Sequence, residues 1–303
     1  MSPETAAAKS TQRFIGVSCV LVSAAFFALA GSFTKMINAD AWVISGARGG
    51  VSAILLFVYV VWRARRSGKP LSLRLGRAGW LVVLLSAAAS VSFIASFKYT
   101  YVANVAVIYA TLPIIAALFG LVFLAEPVRR LTVITALASF AGVVVIAAAG
   151  LGAGHLLGDG LALTMTVLFS LYVVAVRAFQ DVPVLWAVTV SAFLLFLLSW
   201  IVSDPLALQA RDLGIALLFG MTFTAAVVLF TEGARLLPVA ETALLSTADV
   251  PFAAAFAWLM LGEQPPFATF VGGAVIIAAM TAQAFGDLTA SRWQSWRLVR
   301  GRR

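Results

Sequence analysis

Asp249 stands in Ser246-Thr247-Ala248-Asp249-Val250-Pro251, well inside an apolar run. An ionisable group at membrane depth is expensive, so a carboxylate kept there is a candidate site. Its chemistry would be to bind a substrate ammonium or to take up a proton. The alternative is a protonated acid hydrogen-bonded to a neighbouring helix. Pro251 lacks a backbone N–H and breaks the hydrogen-bond ladder beside the acid. Helices broken near the bilayer midplane hold ions and polar substrate groups. Tyr109 and Thr111 precede Pro113 in a comparable way, in Tyr109-Ala110-Thr111-Leu112-Pro113.

Other polar residues invite plainer readings. Glu126 and Glu263 close apolar runs and are expected to be gating or structural, with Arg129 or Arg130 as helical partners of Glu126. Glu232 and Glu241, with Arg235 between them, read as a solvated interfacial cluster. Arg48 lies about two turns into its apolar run and is expected to snorkel outward, a functional cation being the alternative. Lys35 and Lys98 read as anchors, and Tyr99 and Tyr101 as an aromatic belt or a cavity rim. Asn104 needs a partner for its amide, with a neighbouring helix expected to supply it.

The chain also excludes chemistry. His155 is the one histidine and Cys19 the one cysteine, so neither a histidine metal site nor a disulfide is expected. No phosphate loop, H-E-x-x-H or G-x-S-x-G occurs. An enzyme and an ATP-driven pump within this chain are therefore not expected, and no cofactor is implied. The net charge of +9 is spread between apolar runs rather than gathered in a patch, which argues against nucleic acid.

The elements that must position these residues are membrane helices. Of 303 residues, 62% are hydrophobic and only 11% charged, against about 25% charged in soluble domains. Ten runs are long enough to span, near 14–37, 41–62, 78–97, 102–124, 131–150, 157–179, 183–202, 212–234, 239–261 and 266–286. With a cytoplasmic N-terminus, 17 of the 21 Lys and Arg residues fall on the cytoplasmic side. Both termini are then cytoplasmic. Ala28-Leu29-Ala30 before Gly31 resembles a leader cleavage site. The length of the run, and the repeat that removal would strand, argue against cleavage.

The chain writes one segment twice. Tyr109–Pro127 lies over Ser246–Gln264 at an offset of 137, matching Ala116/Ala253, Ala117/Ala254, Phe119/Phe256, Leu124/Leu261 and Glu126/Glu263. Phe27, Leu29 and Lys35 lie over Phe169, Leu171 and Arg177 at an offset of 142. The unit is five helices, and five is odd, so the second copy enters the membrane from the opposite face. Inverted repeats of this kind build alternating-access carriers with the substrate between the halves.

The ten spans, the two halves, and Leu124-Ala125-Glu126-Pro127 echoed by Leu261-Gly262-Glu263 resemble the drug/metabolite transporter superfamily, EamA type. Ala125 stands where that family usually has glycine. The resemblance implies an all-α membrane protein of ten helices in two inverted five-helix repeats. It divides the chain into a tail at 1–13, repeats at 14–150 and 157–286, and a basic tail at 287–303. Residues 1–10 are expected to be disordered, and the tail's arginines and tryptophans to lie on anionic lipid. The resemblance implies export of a small metabolite, often an amino acid or related compound, through a cavity lined by the first, third, fourth, sixth, eighth and ninth helices. Asp249, Ser246, Tyr109, Thr111, Phe27, Phe169, Ser170 and Tyr172 fall on those helices as cavity candidates, with Pro113, Pro251, Glu126 and Glu263 as gating or structural residues.

With one deep acid, several hydroxyls and no mid-span base, the cavity fits a zwitterion, amine or neutral metabolite better than a polyanion. A substrate carboxylate would meet hydroxyls or backbone N–H groups near Pro113 or Pro251. The rivals are a multidrug or cationic-compound exporter of the same fold, a passive channel and a membrane-embedded enzyme. The expected setting is the inner (plasma) membrane, as monomer or homodimer, with proton coupling an option.

Overall fold

The chain without solvent must satisfy its backbone polar groups internally, and every element among the described residues is helical. The computed structural model describes residues 3–68, 73–125, 130–150, 155–204, 208–237, 242, 245–246, 248–279 and 281–282. The helices are α1 (Pro3–Met36), α2 (Ala41–Ser67), α3 (Gly76–Tyr99), α4 (Val102–Tyr109), α5 (Leu112–Leu124) and α6 (Arg130–Gly150). They continue as α7 (Leu156–Ala178), α8 (Val184–Val202), α9 (Ala210–Ala234), α10 (Asp249–Leu261) and α11 (Phe267–Ala279). Among the described residues seven spans are long enough to cross a membrane, Val102–Leu124 counting as one, and three shorter apolar helices stand beside them. Outward-facing apolar side chains such as Ile201, Leu259 and Phe267 are left for lipid.

Two expectations change. The segment expected to be disordered up to residue 10, in a tail ending at 13, is helical from Pro3 as part of α1. Proline suits the first turn of a helix and the alanines that follow are strong helix formers, neither of which hydropathy registers. The fourth span is also not one helix: it breaks between Tyr109 and Leu112. Glu126, Pro127, Glu241 and the tail at 287–303 lie outside the described residues.

The halves pack as an exchange symmetry predicts. α2 packs on α8, its own repeat counterpart. α3 on α7 matches α1 on α9, and α5 on α7 matches α1 on α10. α3 on α8 matches α2 on α9. Small residues let these backbones approach in lipid, where no hydrophobic effect separates helix from tail. A Cβ on Gly49 would meet the Ala192 carbonyl oxygen at 2.6 Å. At the crossing of α6 and α11, a Cβ on Gly142 would meet Gly272 O at 2.8 Å, and one on Gly272 would meet Gly142 O at 2.6 Å. Ile146 and Ile276 pack reciprocally over the facing glycine.

The repeat extends to the helix ends. Ala125 closes α5 at φ 52° and Gly262, its partner in the repeat, closes α10 at φ 64°, both left-handed. Glycine adopts that conformation freely, whereas alanine is strained in it.

Candidate functional site

The site is built where two interrupted helices meet. Pro113 offers no N–H to the carbonyl of Tyr109, so the ladder is re-routed. Thr111 N donates to Ile108 O at 3.1 Å, and Ile115 N to Thr111 O at 3.1 Å. Thr111 Oγ1 donates to Ile108 O at 2.7 Å. In the second copy Ala248 is a turn residue and α10 starts at Asp249, two residues before Pro251. α10 packs against α4, which brings the two copies together. Asp249 is half-buried in the first turn of α10, where the helix dipole favours an anion. It lies within electrostatic reach of the Tyr109 hydroxyl.

An aromatic wall runs from there. Tyr109 packs on Phe169 with centroids 6.0 Å apart and on Phe93 at 6.4 Å. Phe169 stacks on Tyr172 at 5.0 Å. Ser170 is fully buried; its hydroxyl donates to Thr166 O at 2.7 Å and lies 3.2 Å from Leu112 O, stitching α7 to the break. Asp249, Tyr109, Phe169, Ser170 and Tyr172 therefore belong to one locality. Ser246 is half-buried just ahead of α10 and is engaged in an interaction of its own.

Phe27 belongs to a second locality. Its ring meets Phe223 edge-on at 5.9 Å. Arg48 lies over Phe223, the guanidinium carbon 4.3 Å from the centroid, and 5.3 Å from that of Phe219. Its side chain donates to Ser90. Arg48 is 3% exposed and faces inward, so it does not snorkel, and the expectation of a span interior without a base does not hold. The reason is α2 itself: Gly49 brings that helix onto α8, while the neighbouring Arg48 is turned over α9 and α3. Phe93 packs against the clusters of both localities.

The face holding the C-terminus of α1 is tied across the halves. Lys35 Nζ is 2.9 Å from Glu263 Oε1, which also accepts from Val102 N at 2.9 Å and so caps α4. Asn38 N donates to Asp212 Oδ2 at 3.1 Å. Thr100 Oγ1 donates to Asp159 Oδ1 at 2.7 Å, and Asn104 Nδ2 to the same oxygen at 3.2 Å. Thr269 Oγ1 donates to Asn104 Oδ1 at 2.5 Å. Lys35 and Lys98 are not the simple anchors expected from their positions. Lys98 instead donates to Ile37 O at 2.7 Å, and Lys35 forms a cross-half ion pair. Asp159 and Asp212 went unremarked because each opens a helix, where an acid looks like an ordinary end residue. At the other face Glu232 accepts from Tyr59 at 2.6 Å and pairs with Arg63 at 3.4 Å and Arg235 at 3.5 Å.

A family model described as the EamA-like transporter family matches twice, over residues 14–148 and 156–282. The chain belongs to the EamA-like transporter family. An EamA-like transporter is a multi-pass membrane protein that moves small compounds, and the family consists of transporters rather than enzymes. Its two matched segments coincide with the two inverted halves just described. No curated protein matches the chain. One solved crystal structure, described only as that of a protein, aligns over 90% of this EamA-like chain and 97% of its own, with a TM-score of 0.62 and 20% identity. That likeness speaks to the fold alone.

Proposed function

We propose that this EamA-like protein is a secondary transporter that exports a small metabolite, an amino acid or a related zwitterion or amine. Alternating access around the junction of the two breaks would move it. The observation that carries the reading is the packing of α10, which begins at Asp249, against α4, which ends at Tyr109, with the acid within electrostatic reach of the phenol. The carboxylate would receive the substrate ammonium, and the rings of Tyr109, Phe169 and Tyr172 would flank it. A proton competing for the same carboxylate would couple export to a pH gradient. The lysine-bearing face would be the external gate, held by Lys35 and Glu263. Repeat symmetry puts Arg177 and Glu126 in the matching positions of sequence for the cytoplasmic gate. The basic residues support an inner-membrane orientation with both termini cytoplasmic.

A second reading, export of organic cations, is favoured by the same aromatic wall, since a carboxylate among rings also suits a lipophilic ammonium. The test is Asp249→Asn in proteoliposomes, with and without a pH gradient. Losing a charge-assisted hydrogen bond of about 1.5–3 kcal/mol should slow gradient-driven transport roughly ten- to a hundredfold. Unchanged transport in both conditions removes Asp249 from the mechanism. Exchange of internal for external substrate separates a carrier from a passive channel.

A further inference from the structure

We propose that Arg48 is the anchor for a substrate carboxylate, in a subsite completed by Ser90, Phe219 and Phe223. The inference rests on the transporter reading above and narrows its substrate to compounds carrying a carboxylate. Arg48 follows Ala41 by seven residues, so it sits about 10 Å along α2 from that end, well inside the bilayer. It is 3% exposed. Among the described residues no carboxylate forms an ion pair with it, and Ser90 is its hydrogen-bond partner. Among the described residues its buried Nε has no hydrogen-bond partner.

A guanidinium has five donors and cannot shed its charge in a protein. Two cation–π contacts of about 2 kcal/mol when desolvated offset only part of what burying the cation costs. What remains unmet is an anion with two acceptor oxygens, the geometry a carboxylate presents to an arginine fork. Two of the candidate cavity hydroxyls, those of Ser170 and Thr111, are not available to donate to a substrate carboxylate. Ser170 gives its proton to Thr166 O or Leu112 O, and Thr111 to Ile108 O. A hydroxyl has one proton to give, so both present only lone pairs, which repel an anion.

The positions of the two charges are also ordered. Phe93 joins the aromatic cluster of Tyr109 to that of Phe219, so the anionic and cationic subsites share one wall. A zwitterion would set its ammonium toward Asp249 and its carboxylate toward Arg48. An amine without a carboxylate leaves the arginine unpaired and gains nothing from it.

The experiment measures thermal stabilisation of the purified full-length protein by a panel of L-amino acids and their matched decarboxylated amines. The expected result is that at least one amino acid stabilises the protein and binds at least about tenfold more tightly than its amine. Arg48→Gln should erase that preference while the amine's own binding is kept. Should Arg48→Gln not fold, Arg48→Lys serves, since it keeps the charge, loses the fork and should cut the preference several-fold. Equal binding of acids and amines by the wild type, or a preference that survives in the variant, overturns the anchor and leaves the transporter reading standing. Stabilisation by neither class overturns both the anchor and the amino-acid reading.

Discussion

Ala125 is a residue under strain whose repeat partner is not. It ends α5 at φ 52°, in the conformation Gly262 adopts at the end of α10. Ala125→Gly should remove a left-handed penalty of roughly 1 kcal/mol. Part of the gain is given back because glycine has more freedom in the unfolded chain. The expected outcome is a small rise in melting temperature of the detergent-solubilised protein, with transport unchanged. A fall would mean the alanine methyl makes a contact worth more than the strain. Asp249 and Arg48 show the same dependence on surroundings at the level of charge. Each is a single ionisable group whose surroundings are set by the neighbours of its helix, α4 for one and Phe219 and Phe223 for the other.

At the scale of elements, Pro113 divides the fourth span into α4 and α5 and Pro251 stands in the first turn of α10, and close packing then fixes where these pieces meet. The crossing of α6 and α11 is the tightest test of that packing. Gly142→Leu would drive a side chain into Gly272 O and Ile276. Overpacking of this kind costs about 1–3 kcal/mol, so the variant should melt at lower temperature and yield less folded protein. Gly142→Ala should do the same to a smaller degree. Equal stability of wild type and Gly142→Leu would show that the helices can separate without loss. α4 and α10 differ from the other elements because their ends carry Tyr109 and Asp249, the groups proposed to meet the substrate. Ser170 of α7 and Glu263, in the link after α10, hold α5 and α4 in place.

For the whole molecule, inversion makes a topological demand that can be checked directly. Arg130 begins α6 and Gln264 follows α10, and both are exposed. In a Cys19→Ser background, cysteines at these two positions should react with a membrane-impermeant thiol reagent from opposite faces. Labelling from one face would contradict the inverted halves and, with them, alternating access. The cross-half ties of Lys35, Asn38, Thr100 and Asn104 lie at a single face, so closing and opening there would have to break them together.

Hydropathy, the spread of arginine and the repeat at 137 were enough to determine a ten-helix membrane protein in two inverted halves. Those properties follow from local composition and from the thickness of the bilayer, and a linear reading contains both. Asp249, Tyr109 and the prolines were legible for the same reason: polar and ladder-breaking residues stand out in an apolar run. The partner of each was not. Lys35 and Glu263 are 228 residues apart, and Asn104 and Thr269 are 165 apart. Arg48 looked like a residue that could reach the surface, because its depth can be counted along a helix but its direction cannot. Only the tertiary structure decided that, through Gly49 laying one face of α2 on α8 and turning the charge toward α9. Which side of a helix faces lipid and which faces protein is set by all its neighbours at once, and no single span encodes it.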